Sequence, residues 1–279
     1  MEISSILGMS PEGFHKVSYT RWGNKHNPAV VCVHGLTRNA RDFDWLAEAL
    51  SHSYDVVCPD MVGRGLSDHF KVPIHYNIPQ YMSDCNALIA RLDVPHVDWI
   101  GTSMGGLIGM SIASMTGSPI RRLVINDVGP FIPSSALEYI HAYCQKDPVF
   151  KQFEEAYAFF KKQYAGFVSK DMPDYWAHIT KHSIKTMPDG SFKINRDPHV
   201  SAELPGALSQ DIDLWAFWDK ITCPILVLRG KKSEVFPADV LTEMKRRRPD
   251  IEIAEFDNIG HAPSLAEADQ IERIQAWLA

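Results

Sequence analysis

The sequence predicts an α/β fold built on a mostly parallel sheet, and three observations carry that prediction. Short apolar runs rich in β-branched residues alternate with longer amphipathic segments. Several of these runs, such as Ala29-Val30-Val31-Cys32-Val33, are apolar without interruption. The alternation breaks only once, between about residues 130 and 215. Alternating strands and helices assemble into right-handed β-α-β units, and a strand covered on both faces has no need to alternate polar with apolar residues.

Taken in order, Lys16–Trp22 reads as an antiparallel edge strand. Ala29–Val33, Tyr54–Cys58, Val97–Ile100, Arg122–Ile125, Ile225–Leu228 and Ile251–Phe256 read as strands of the sheet interior. Apolar residues at helical spacing place helices over Arg41–Leu50, Pro79–Leu92, Met104–Thr116, Ala238–Arg248 and Ser264–Leu278. The interruption is helix-like, aromatic (Phe150, Phe153, Tyr157, Phe159, Phe160, Tyr164, Phe167, Tyr175, Trp176) and broken by prolines, from Pro130 to Pro205. It reads as a helical lid, residues 130–215, inserted into a core of residues 1–129 and 216–279. Most of its aromatics are expected to pack the lid itself, and about a third to line a substrate cavity.

With 279 residues the chain is near the upper size for one hydrophobic core, which suits one domain with a large insertion. A net charge of −6 and a pI near 6.0 argue against general affinity for nucleic acid or anionic membrane. The basic run Lys245-Arg246-Arg247-Arg248 closes a helix, where cations complement the helix dipole. Five cysteines without a C-x-x-C pair fit a reducing compartment. Met1 to Gly23 lacks the pattern of a secretory leader, and no apolar run reaches the ~18 residues of a spanning helix. The expectation is a cytoplasmic protein with a small-molecule partner, and neither nucleic acid nor membrane.

The chemistry centres on Gly101-Thr102-Ser103-Met104-Gly105. A serine flanked two residues away on each side by glycine suits a strained strand-to-helix turn, with Trp99 and Ile100 ending a strand and Leu107, Ile108 and Ile112 opening a helix. Serine needs a base, and that base needs a third group to orient it. His261, in Asn258-Ile259-Gly260-His261-Ala262-Pro263 after the last strand, is the candidate base. Two carboxylates compete for the third place: Glu234, on the loop after Ile225–Leu228, and Asp127, at the end of Arg122–Ile125. Glu234 is the first choice and Asp127 the alternative. The amides of Met104 and of Leu36, in Val33-His34-Gly35-Leu36, are the candidate oxyanion donors, with His34, Gly35, Gly101 and Gly105 shaping the site.

His-Gly at 34–35, Asp60-Met61-Val62-Gly63-Arg64-Gly65-Leu66-Ser67-Asp68, Gly-Thr-Ser-Met-Gly-Gly at 101–106 and Gly-His-Ala-Pro at 260–263 together resemble the α/β-hydrolase superfamily in order and spacing. The resemblance implies an eight-stranded, mostly parallel sheet, a lid, and a Ser–acid–His triad working without a cofactor. It also implies that Gly63-Arg64-Gly65 is a structural turn with no catalytic part. One departure stands out: Glu234 occupies a position where similar sequences carry aspartate. His178 and His182, four residues apart, lack the glutamate and third ligand of a zinc motif, so no metal is expected. Gly101–Gly106 is not a dinucleotide loop, so no nicotinamide cofactor is expected either. The function expected is hydrolysis of a carboxylic ester or similar acyl compound. Carbon–carbon bond or lactone hydrolysis by the same triad, and a non-catalytic ligand receptor on the same fold, are the alternatives.

Overall fold

Val30, Val31, Cys32 and Val33 have no solvent exposure, because strand β3 (Ala29–Val33) runs through the middle of a sheet covered on both faces. The computed structural model describes residues 1–201 and 210–279. Its main sheet has eight strands in the order β1-β2-β4-β3-β5-β6-β12-β13. These are β1 (Glu2–Ser10), β2 (Gly13–Trp22), β3, β4 (Asp55–Pro59), β5 (Val97–Thr102), β6 (Ile120–Asn126), β12 (Ile225–Gly230) and β13 (Glu252–Phe256). From β4 to β13 every neighbouring pair is parallel, while β2 is antiparallel to both β1 and β4. The eight-stranded, mostly parallel sheet is therefore as expected.

One element differs from the sequence reading. Lys16–Trp22 lies inside β2, which is not an edge; β1 takes that place. Leu7 and Met9 of β1 are largely exposed, so the strand is held by its ladder with β2 and lacks the apolar run that marks an interior strand.

Helices α1 (Asp44–Leu50), α2 (Ile78–Leu92) and α3 (Met104–Ala113), with helices Ala238–Arg247 and Ala268–Leu278, cover the two faces. Asn77 caps α2, its side chain accepting the Gln80 amide at 2.9 Å. The two faces are buried as separate cores, one around Val31, Trp99 and Ile108, the other around Val30, Leu46 and Ile100.

Between β6 and β12 the chain leaves the sheet. Strand β7 (Phe131–Ile132) pairs antiparallel with β11 (Ile212–Asp213), so the segment departs and returns through one narrow neck. Helix α4 (Ser134–Cys144) joins the main core through Leu137 and Ile140. Helices α5 (Phe153–Gln163) and α6 (Pro173–Ser183) and the small sheet of β8 (Val149–Phe150), β9 (Ile184–Thr186) and β10 (Phe192–Ile194) surround a third core of Phe150, Phe160, Tyr175 and Trp176. Part of the expected lid, including Pro205, lies outside the described residues.

Candidate active site

The turn between β5 and α3 places Ser103 at φ 52°, ψ −114°, a region that non-glycine residues enter only when their surroundings force them. The flanking glycines supply the force by letting backbones touch. A Cβ on Gly101 would lie 2.2 Å from the Gly105 carbonyl oxygen, and one on Gly105 would lie 2.0 Å from that of Val33. The Ser103 amide donates to the Asn126 carbonyl at 2.9 Å, which ties the turn to the end of β6.

Three side chains converge here. His261 Nε2 is 2.9 Å from Ser103 Oγ, and His261 Nδ1 is 2.8 Å from Asp127 Oδ2. His261 is 6% exposed at its side chain and Asp127 fully buried. Asp127 adopts φ 58°, a left-handed turn that carries its carboxylate back under the imidazole as β6 ends. The loop after β12 then fixes that carboxylate: Gly230 N donates to Oδ1 at 2.8 Å and Ser233 Oγ to Oδ2 at 2.5 Å.

Glu234, the first choice in the sequence, is not brought to His261; Asp127 is. Glu234 is exposed, and among the described residues it has no hydrogen bond or ion pair with His261. Its Oε2 faces the backbone of Gly260 instead, 3.4 Å from where a Cβ there would stand. The reason is local: Ser233, the residue before it, turns inward to Asp127 and also accepts the amides of Val235 and Phe236. That turn leaves Glu234 at the rim.

The loop after β3, which carries the candidate oxyanion donor Leu36, meets the elbow. Gly35 packs against the elbow, its open position 3.7 Å from Ser103 Cβ. Among the described residues the amides of Leu36 and Met104 donate to no protein acceptor, and that of Met104 stands at the positive end of α3. His34 braces the loop: its Nε2 accepts the Met61 amide at 3.0 Å and its Nδ1–H donates to the Gly35 carbonyl at 2.7 Å. Burial, with the nearby Arg64 cation, pushes His34 down to about 3, so it stays a neutral strut.

Arg64, set aside in the sequence as part of a structural turn, touches both candidate oxyanion residues, Leu36 and Met104. It is fully buried. Its Nε donates to the Leu36 carbonyl at 2.9 Å, its Nη1 to Val62 O and Tyr81 Oη, and its Nη2 lies 3.6 Å from Met104 Sδ. Among the described residues no carboxylate forms an ion pair with it. A buried guanidinium without a counter-ion is expensive, and hydrogen bonds to three oxygen acceptors offset part of that cost here. The only signal in the sequence was an arginine between two glycines that both take positive φ here, 86° at Gly63 and 56° at Gly65.

The inserted segment reaches the site through polar contacts. Gly260 N donates to Gly166 O, Ser264 N to Phe167 O, and Thr37 Oγ1 bonds Tyr164 Oη at 3.1 Å. Of the aromatics singled out in the sequence, Tyr164, Phe167 and Tyr175 line the cavity beside Ser103, and Phe150, Phe160 and Trp176 pack the segment's own core.

His178 and His182 do meet a third group, Asp44, with ligand atoms within 4.8 Å of one another. The cation facing that carboxylate is Arg41, whose Nε donates to Asp44 Oδ2 at 2.8 Å and whose Nη1 lies 3.3 Å from His182 Nδ1. His178 Nε2 donates to the Arg41 carbonyl at 3.0 Å. The cluster is a polar joint between α6 and α1.

The family profile described as alpha/beta hydrolase fold matches residues 28–268. This chain belongs to the α/β-hydrolase family. It is 41% identical over 284 aligned positions to the 3-hydroxybutyrate-oligomer hydrolase of Cupriavidus necator, with 97% of each chain covered. It is 26% identical to the 2-(acetamidomethylene)succinate hydrolase of Mesorhizobium japonicum, covering 84% of this chain and 81% of that one. The solved structure of an α/β hydrolase from Novosphingobium aromaticivorans superposes with a TM-score of 0.88 at 33% identity, covering 99% of this chain and 98% of the other. The protein is a hydrolase enzyme of this fold. Among the described residues no helix is long and apolar enough to cross a membrane.

Proposed function

We propose that this α/β hydrolase cleaves carboxylic esters through an acyl-enzyme, with Ser103 as nucleophile, His261 as base and Asp127 as the orienting acid. One observation carries the reading: the unbroken relay from Ser103 Oγ to His261 Nε2, and from His261 Nδ1 to Asp127 Oδ2, at 2.9 and 2.8 Å. His261 takes the serine proton as Ser103 Oγ bonds to the acyl carbon. Asp127 holds the tautomer with Nε2 free and stabilises the imidazolium. The Leu36 and Met104 amides receive the oxyanion, in a site largely shielded from water where such donors are strongest. His261 returns the proton to the departing alcohol, and a water activated by the same imidazole releases the acid. The segment 130–215 acts as a lid, roofing the site through Tyr164, Phe167 and Tyr175.

The similarity to a hydrolase of 3-hydroxybutyrate oligomers supports an ester as the bond attacked, since such units join head to tail as esters. The test is labelling with a fluorophosphonate probe beside turnover of p-nitrophenyl esters. The wild type is expected to be labelled and active, and Ser103→Ala to be neither. Absence of both in the wild type, or labelling that persists in Ser103→Ala, contradicts the proposal.

A further inference from the structure

Two cavities of opposite character meet at Ser103, which lines both. The larger, of about 370 Å³, runs between α3 and the inserted segment, and Leu107, Val128, Ile132, Leu137, Ile140 and Ile212 supply its apolar wall. Most of the polar atoms along it are already engaged. Tyr76 Oη donates to Asp197, Tyr81 Oη accepts from Arg64, and the Asn77 amide caps α2 and donates to the Ile74 carbonyl. What this wall offers a ligand is apolar surface. The smaller cavity, of about 40 Å³, is bounded by Thr37, Arg38, Asp42, Gln163, Tyr164 and His261.

His261 decides which part of a substrate goes where. It lines the small polar cavity and not the large one. Whatever oxygen leaves must lie beside His261 Nε2 to receive the proton, so the alcohol portion belongs on the polar side. Of the two residues whose amides are candidate donors for the acyl oxygen, Met104 lines the large cavity and Leu36 lines both.

Resting on the serine-hydrolase reading above, we infer that the enzyme takes esters of a medium-length aliphatic acyl group with a small polar alcohol, the acyl chain lying in the apolar cavity between Leu107 and Ile212. In that orientation Ser103 Oγ forms the bond to the acyl carbon, the bond from that carbon to the alcohol oxygen breaks, and the serine proton passes through His261 to that oxygen. Water then reverses the sequence and releases the medium-chain acid. A four-carbon acyl group leaves most of the large cavity unfilled.

The experiment is the acyl-length dependence of kcat/KM for methyl esters from acetate to decanoate, followed by acid release. It is repeated at fixed octanoyl length with methyl, 2-hydroxyethyl and benzyl alcohols. The wild type is expected to gain about fourfold per methylene between butanoyl and octanoyl, the equivalent of ~0.8 kcal/mol per buried CH₂. Benzyl octanoate is expected to be at least tenfold poorer than the methyl ester. Leu107→Trp and, independently, Ile212→Trp are expected to lower the octanoyl-to-acetyl ratio at least tenfold. Ser103 labelling by fluorophosphonate separates the two possible failures. A labelled wild type that prefers acetyl or butanoyl esters, or a ratio that neither tryptophan moves, overturns the cavity assignment and leaves the hydrolase reading standing. An unlabelled, inactive wild type overturns both.

Discussion

The loops that follow β6 and β12 both end beside His261, and each brings a carboxylate. They differ in what the backbone does at the carboxylate. Asp127 turns at positive φ immediately after its strand and sinks beneath the imidazole, where Gly230 N and Ser233 Oγ satisfy it. Glu234 sits four residues past its strand on a loop whose inward-facing position is taken by Ser233, and it stays exposed. The loop after β12 therefore holds the Asp127 carboxylate beside His261 without bringing its own carboxylate there. The lesson is that burial and hydrogen bonding at the strand end, rather than which loop comes later in the chain, decide which carboxylate reaches the imidazole.

Substitutions at the two loops and the groups they support can break or sharpen this contrast. The largest effect is expected at the serine both loops ultimately serve: Ser103→Ala is predicted to lower kcat by about 10⁶-fold in steady-state ester hydrolysis, as loss of a triad serine does elsewhere. Asp127→Asn keeps the shape but inverts the hydrogen-bond demand on His261 Nδ1, and is predicted to lower kcat by ~10⁴-fold. Ser233→Ala removes one charge-assisted hydrogen bond from Asp127 and should lower kcat about tenfold with little change in KM. Arg64→Met, which keeps bulk but removes the cation behind Leu36 and Met104, should likewise act on kcat rather than KM, by roughly tenfold or more.

The smallest effect expected concerns stability. His34 is held down to about 3 when folded, against an ordinary 6.5, so the unfolded chain binds a proton that the native loop refuses. That contribution is complete above about pH 6.5 and is lost as pH falls from there toward 3. Replacing the imidazole with an amide, His34→Gln, should flatten this part of the urea-midpoint profile relative to wild type. An unchanged profile would mean that His34 is not the neutral strut described.

Much of this architecture was legible in the sequence because it depends on local rules. Uninterrupted apolar runs marked the interior strands, and glycine spacing around Ser103 marked a turn whose backbone contacts leave no room for a Cβ. His261 was legible from its place after the last strand. β1 was not, since its residues are mostly exposed and only pairing with β2 reveals it. That Asp127 rather than Glu234 reaches His261 was not legible, because the groups that hold Asp127, Ser233 and Gly230, lie more than 100 residues away from it in sequence. Arg64 was passed over for a related reason: its partners Leu36, Tyr81 and Met104 come from three separate segments. The joint of Asp44 with His178 and His182 shows the same limit, since α1 and α6 meet only once the inserted segment folds back.

The most direct test of the central claim compares kcat for Asp127→Asn and Glu234→Gln on one ester, with both proteins checked for native fold by circular dichroism. A loss of ~10⁴-fold in Asp127→Asn, with Glu234→Gln within about twofold of wild type, is the predicted result. A severe loss in Glu234→Gln with Asp127→Asn still active would contradict it.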